Sequence, residues 1–231
     1  MLDSATQALA IPGVAWVFAA AFAAGVVRGF AGFGTAMIFL PIAAQVIDPI
    51  WALTVIAVMD MIGPLPAIPK ALKDGHPRDL ARLIAGVIVA LPLGLAVLFA
   101  VDPSVFKVAV SVLSLALLAA LISGFRYRGE LTKPMIYGTG GMAGFLGGAA
   151  GLPGPPVILL YMASPHPARV VRANNTVFLF LFDILMLSGL AIGGKVVAGS
   201  LMLGVVTALP YLLGNLVGGR NIQPPTRFPN R

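Results

Sequence analysis

Two long apolar stretches of this chain are interrupted at matching places by glycine and proline. Residues 25–34 read GVVRGFAGFG and residues 144–156 read GFLGGAAGLPGPP. Gly25, Gly29, Ala31 and Gly32 align with Gly144, Gly148, Ala150 and Gly151 at a constant offset of 119 positions (25 to 144). A break in a bilayer-embedded helix leaves backbone groups unpaired, which is tolerated only where the backbone is buried in protein or lines a cavity. Paired breaks in corresponding places of two halves point to a transporter's binding site.

Composition fixes the solvent. The chain is 59% hydrophobic and only 10% charged, against roughly 25% charged residues in soluble domains. Apolar runs of about 20 residues, long enough to span, recur throughout, with no long polar linker, so residues 1–231 read as one membrane domain. Residues 1–12 contain Asp3 and lack a basic n-region, so they do not read as a signal peptide. Cysteine is absent, which excludes disulfides, thiolate metal sites and cysteine nucleophiles.

Residues 13–47 would be about 52 Å long as one helix, more than a bilayer is thick. They must fold back, either as two short half-helices or as a tight helical hairpin. Residues 50–68 read as a span containing Asp60, followed by a basic loop with Lys70, Lys73, Arg78 and Arg82. Residues 83–101 and 104–124 are spans joined at Asp102-Pro103, and a polar loop, 125–134, ends the first half. The second half repeats the plan: a broken stretch at 135–163, a loop at 164–172 with Arg169 and Arg172, a span at 173–193 containing Asp183, and a span at 196–217. The repeats are thus 10–124 and 135–220, the second incomplete at its C-terminus. An odd number of crossings per complete half makes the second half enter from the opposite side, giving inverted repeats. Ala90-Leu91-Pro92 recurring as Ala208-Leu209-Pro210, and Asp60 answered by Asp183, support the duplication.

Twelve of the fifteen Lys and Arg residues fall on one side of this plan; only Lys107 and Lys195 fall on the other, and Arg28 lies within apolar sequence. The positive-inside rule puts the basic side in the cytoplasm and the N-terminus outside. The net charge of +7 is therefore read as membrane topology, with no nucleic-acid partner.

The RGFAGFG stretch with its following run to Pro41, and the later AGLPGPPVILLY segment, resemble the TauE/SafE sulfite exporter family, also called the toluene sulfonate uptake permeases. The resemblance covers about residues 10–220. It implies a multi-pass permease for sulfite, sulfonates or related organosulfur anions in the bacterial cell (inner) membrane, with no cofactor. The second motif departs from the pattern in having Gly147 where the first has Arg28. The family and the internal symmetry also lead one to expect a final apolar helix, partner to 104–124, where this sequence reads GGRNIQPPTRFPNR.

Arg28 leads the candidate substrate-binding residues: an intramembrane Arg usually faces a cavity or a partner and, with free N–H groups at helix N-termini, suits an oxyanion. The alternatives are an Arg snorkelling to the interface or paired with Asp60. Gly29, Gly32, Gly34, Gly151 and Gly154 let backbone approach a ligand, or else let helices pack closely; Gly148 belongs with them. Pro155, beside Pro153 and Pro156, fits the wall of a broken helix. Asp60 and Asp183 either relay protons or neutralise an Arg. Asn174 and Asn175 cap a helix or reach the site, capping being favoured. Thr35 and Tyr161 are hydroxyl donors. His76 and His166 sit in loops beside prolines, and without cysteine or clustered carboxylates no metal is expected. No nucleophile–base grouping appears, so an enzyme is disfavoured.

The reading is an all-α polytopic membrane protein of two inverted repeats whose broken Gly/Pro-rich helices meet near the midplane and move a small anion by alternating access. The rivals are a channel-like pore and a non-transporting membrane assembly protein. Small-residue surfaces would permit a homodimer.

Overall fold

The computed structural model describes residues 10–123, 131–161 and 166–220. Those residues form ten α-helices, one 3₁₀ turn and no β-strand. The first broken stretch is a hairpin of α1 (Val14–Ala31) and α2 (Thr35–Val46). A Cβ on Gly13 would touch Val46 at 3.5 Å, and one on Gly34 would touch Val27 at 3.2 Å, so the two helices run antiparallel. Of the two ways to fold 13–47 back, the hairpin is the one formed.

α3 (Pro49–Ile62) starts at Asp48, whose carboxylate accepts from the Ile50 amide at 2.8 Å, with Pro49 pre-set for the first turn. Here the structure corrects the sequence reading. The unbroken helix expected over 50–68 stops at Ile62, because Pro64 and Pro66 lack N–H groups and cannot continue it. A 3₁₀ turn (Leu65–Ala67) leads into α4 (Ile68–Asp74), bent 42° from α3. The expected basic loop is therefore mostly helical: Lys70 and Lys73 ride on α4, and Arg78 and Arg82 on the first turns of α5 (Pro77–Ala100). α6 (Pro103–Ile122) follows, capped by Asp102. The second half contains α7 (Lys133–Ala150), α8 (Gly154–Tyr161), α9 (Ala168–Ile192) and α10 (Ala198–Arg220). Parts of the expected loops at 125–134 and 164–172, and the tail, lie outside the described residues.

Five helices are long and apolar enough to cross a membrane, or six if the bent α3–α4 pair is one span. Large apolar side chains such as Val89, Val108, Ile122 and Ile192 point outward, as a lipid-facing surface requires. The chain is an all-α polytopic membrane protein.

Glycine seams set the helix directions. On α1, a Cβ at Gly25 would lie 3.0 Å from the Asn215 amide nitrogen, and one at Gly29 would lie 2.9 Å from that of Gly219. Residue numbers rise together, so α1 and α10 are parallel. On the other seam, Gly86 meets Gly141 N at 2.6 Å and Gly94 meets Ala149 N at 2.9 Å, so α5 and α7 are parallel too. α3 runs with α10, since Gly199 meets Trp51 and Gly204 meets Val58. α9 runs with α5, since Gly75 meets Asn174 and Gly193 meets Phe99. α9 runs against α3–α4, because Asp183 shares a cavity with Asp60 while Asn174 lies at Gly75. Hence α1, α3 and α10 point one way and α5, α7 and α9 the other, and the corresponding helices of the two halves (α1 and α7, α3 and α9, α5 and α10) are mutually inverted. The first helix of each half packs on the proline-containing helix, with Pro92 or Pro210, of the other half. Small residues let the backbones approach where lipid provides no hydrophobic drive.

Candidate functional site

The two aligned glycines make the same turn. Gly32 has φ 81° and Gly151 has φ 71°, left-handed values that favour glycine. The Gly32 amide closes α1 on the Arg28 carbonyl at 2.7 Å, and the Gly151 amide closes α7 on the Gly147 carbonyl at 2.8 Å. The chain then reverses into α2 and α8. Both reversals border one small central cavity of about 40 Å³, room for a water or two.

The first half contributes Arg28, Gly34, Thr35 and Asp60 to this cavity. The second contributes Gly151, Gly154, Pro155 and Asp183. These eight sequence-predicted site residues thus converge on one cavity. Other candidates do not. Gly32 borders a separate, larger cavity. Gly29 sits half-buried in the α1–α10 seam, and Gly148 sits in the α5–α7 seam, 2.9 Å from Leu95 N by its virtual Cβ; both lie where two backbones approach closely. Asn174 lies away from the central cavity. Its helix begins at Ala168 after Pro167, so it does not cap α9. Instead its Oδ1 accepts from the His76 amide at 2.6 Å and its Nδ2 donates to the Tyr161 hydroxyl at 3.0 Å.

Arg28 is 7% exposed and does not snorkel. Its Nη1 lies 3.5 Å from Asp60 Oδ2, too long and poorly aimed for a hydrogen bond, so Nη1 is a buried donor with no hydrogen-bond partner among the described residues. Asp60 Oδ1 accepts from Thr35 Oγ1 at 3.2 Å and from the Tyr211 hydroxyl. Asp183, 7% exposed, has an Oδ2 with no hydrogen-bond partner among the described residues. A buried polar atom left unpaired costs roughly 1–3 kcal/mol, more if charged. Two such atoms of opposite character belong to side chains that line one cavity. At Gly147, the place corresponding to Arg28, a Cβ would strike the Phe182 ring, so the second half fills with an aromatic ring the space where the first puts a cation.

Next to this site is a cavity of about 980 Å³. Lys70, Arg169 and Arg172 line it, with Gly32 and Asn175 at its inner end. On α9 it reaches Thr176, and the central cavity starts at Leu179, less than one helical turn further on. Asn175 stands at that boundary: Nδ2 donates to the Gly32 carbonyl at 3.0 Å, while Oδ1 is buried and unpaired among the described residues. Arg172 Nη2 donates to the Phe30 carbonyl at 3.3 Å. The basic vestibule therefore ends on the first chain reversal.

A family model described as sulfite exporter TauE/SafE matches residues 17–227. The chain belongs to this family. No match was found among curated proteins or solved structures. Membership makes the protein a membrane transporter of the sulfite-exporter type, in a family of transporters rather than enzymes.

The sequence reading missed Tyr211, the donor to Asp60. It follows the repeated Ala208-Leu209-Pro210, where the first repeat has Leu93, so the difference between otherwise matching motifs was the available signal. It also kept His76, Asp79 and His166 apart. They meet at the basic end, where Asp79, 5% exposed, lies 3.0 Å from His76 Nδ1 and 3.4 Å from His166 Nε2.

Proposed function

We propose that the protein moves small sulfur oxyanions, sulfite or sulfonates, across the bacterial cell membrane by alternating access, with Arg28 as the anion contact. The observation that carries this reading is the small central cavity in which Arg28 and the broken helices of both halves meet, directly behind a basic vestibule. Lys70, Arg169 and Arg172 would collect an anion from the basic side. Arg28 Nη1 would then hold it beside the backbone of the reversals.

Charge arithmetic gives the coupling. Arg28, Asp60 and Asp183 together carry a formal charge of −1 when all are ionised, which repels an anion. One proton on Asp183, whose Oδ2 has no hydrogen-bond partner among the described residues, makes the cavity neutral. Proton and anion therefore bind together, each raising the affinity for the other by the same factor. Asp60 stays with Tyr211 and Thr35 as the counter-charge that positions Arg28. By the positive-inside rule the vestibule opens to the cytoplasm and the N-terminus lies outside.

Sulfite flux into proteoliposomes, followed with an internal pH dye, tests the reading. Wild type should carry protons with sulfite, Arg28→Ala should carry neither, and Asp183→Asn should uncouple the two. Unchanged sulfite flux in Arg28→Ala would remove the anion-contact role.

A further inference from the structure

The His76–Asp79–His166 cluster has no part in the transport reading. Asp79 lies in the first turn of α5, His76 is the residue before that helix, and His166 precedes α9. The two histidines thus come from different halves, 90 positions apart (76 to 166), onto one buried carboxylate. The three ligand-capable atoms, His76 Nδ1, Asp79 Oδ2 and His166 Nε2, lie within 4.8 Å of one another. His76 Nδ1 makes no hydrogen bond among the described residues despite its 3.0 Å approach, and the 3.4 Å approach of His166 is long for one. The rings are tilted by 33° with centroids 5.2 Å apart.

Bonds of about 2.0–2.1 Å in a tetrahedral zinc site put neighbouring ligand atoms about 3.3 Å apart. The two edges to Asp79, 3.0 and 3.4 Å, match that spacing. The nitrogen–nitrogen edge has to close by at most about 1.5 Å, the excess of 4.8 over 3.3, through rotation of two partly exposed rings. Supports for the ligands are already present. Arg82 Nη1 holds the other oxygen, Asp79 Oδ1, at 3.0 Å, leaving Oδ2 to face the histidines. Asn174 Oδ1 fixes the His76 backbone. Outer partners of this kind orient metal ligands. Two imidazoles and one carboxylate favour zinc and its neighbours over magnesium or calcium. The Arg82 guanidinium works against a divalent charge, but it engages the oxygen the metal does not need.

We propose that His76, Asp79 and His166 form a transition-metal site, of zinc type with an open fourth position, that joins the two halves at the basic end. Because His166 also borders the vestibule, a bound ion links the turn before α5 to the entry of α9 at the vestibule wall.

The test uses the full chain in detergent with the affinity tag removed and does not depend on transport. Equilibrium dialysis against zinc should give one equivalent per chain at micromolar affinity or tighter. Cobalt in its place should show the visible absorption of a tetrahedral site. His76→Ala and His166→Ala should each weaken binding by at least tenfold while melting as wild type does in chelator; His76→Gln and His166→Gln replace any alanine variant that fails to fold. No stoichiometric zinc in wild type, or undiminished zinc in the histidine variants, would overturn the proposal and leave an ion-pair tie between the halves.

Discussion

Adjacent glycines on α7 should respond in opposite ways to the same substitution. A Cβ at Gly140 would lie 2.8 Å from the Leu83 carbonyl carbon and 2.9 Å from its Cα, and closer still to its oxygen, whereas one at Gly141 meets nothing nearer than 4.0 Å. Ordinary van der Waals contact begins at 3.4 Å, so Gly140→Ala must open the α5–α7 seam by about 0.6 Å or more, the deficit of 2.8 against 3.4. The obstacle is backbone and cannot rotate away. A gap of 0.5–1 Å forfeits about a quarter to a half of the dispersion at each contact pair, and overpacking of this kind costs about 1–3 kcal/mol. For a chain of this size that corresponds to a fall in melting temperature of about 2–12 °C. Gly141→Ala removes backbone freedom without a clash and should be neutral or stabilising by up to about 1 kcal/mol. Thermal unfolding in detergent at one scan rate, followed by the fluorescence of Trp16 and Trp51, reads both. Equal melting temperatures, or a larger loss at Gly141, would refute the parallel seam geometry.

Tyr211→Phe removes a donor from the buried Asp60 carboxylate and should cost about 1–3 kcal/mol, measured by the same unfolding assay; no change would place that hydroxyl elsewhere. Asp48→Ala deletes the cap of α3 and should cost about 0.5–2 kcal/mol, with faster hydrogen exchange confined to the first turn. The Asp102 carboxylate, accepting from the Ser104 hydroxyl and amide, is held below its ordinary value of 3.8. Its cap is therefore fully present above 3.8 and lost only as pH falls through the lower folded value, so Ser104 amide protection should not change between about pH 7 and 5. The chain has no native cysteine, so single cysteines report topology cleanly: Lys195→Cys should react with an impermeant thiol reagent added outside intact cells, and Lys73→Cys only after permeabilisation; the reverse pattern would invert the orientation.

The chain reversals were legible because glycine in an apolar run has a backbone cost that needs a reason, and the same spacing recurs at Gly32 and Gly151. Arg28 was legible for a similar reason, as a charge in the wrong solvent. The face of each helix was not. Apart from Arg28 on α1 and Lys133, Tyr137 and Thr139 on α7, these two helices are apolar or glycine, so no periodic stripe distinguishes the cavity from a packing seam, and Gly29 and Gly148 looked as eligible as Gly34 and Gly151. The bend at Gly63-Pro64 was hidden because polar residues after it read as loop, although Lys70 and Lys73 lie on a helix extending beyond the apolar segment. Tyr211 and Asp60 are 151 positions apart, and His76 and His166 are 90 apart; nothing local to either partner announces such pairs.

The exchange of partners between halves bears on how the molecule is made. Gly25 on α1 and Gly214 on α10 face one another's helices, yet 189 positions separate them. At synthesis rates of about 5–20 residues per second, α1 exists for about 10–40 s before its mate is translated. During that interval its glycine face meets lipid or an insertion factor, and Asp60 lacks Tyr211. α1 is therefore locked only after α10 is made, and the central cavity is completed late.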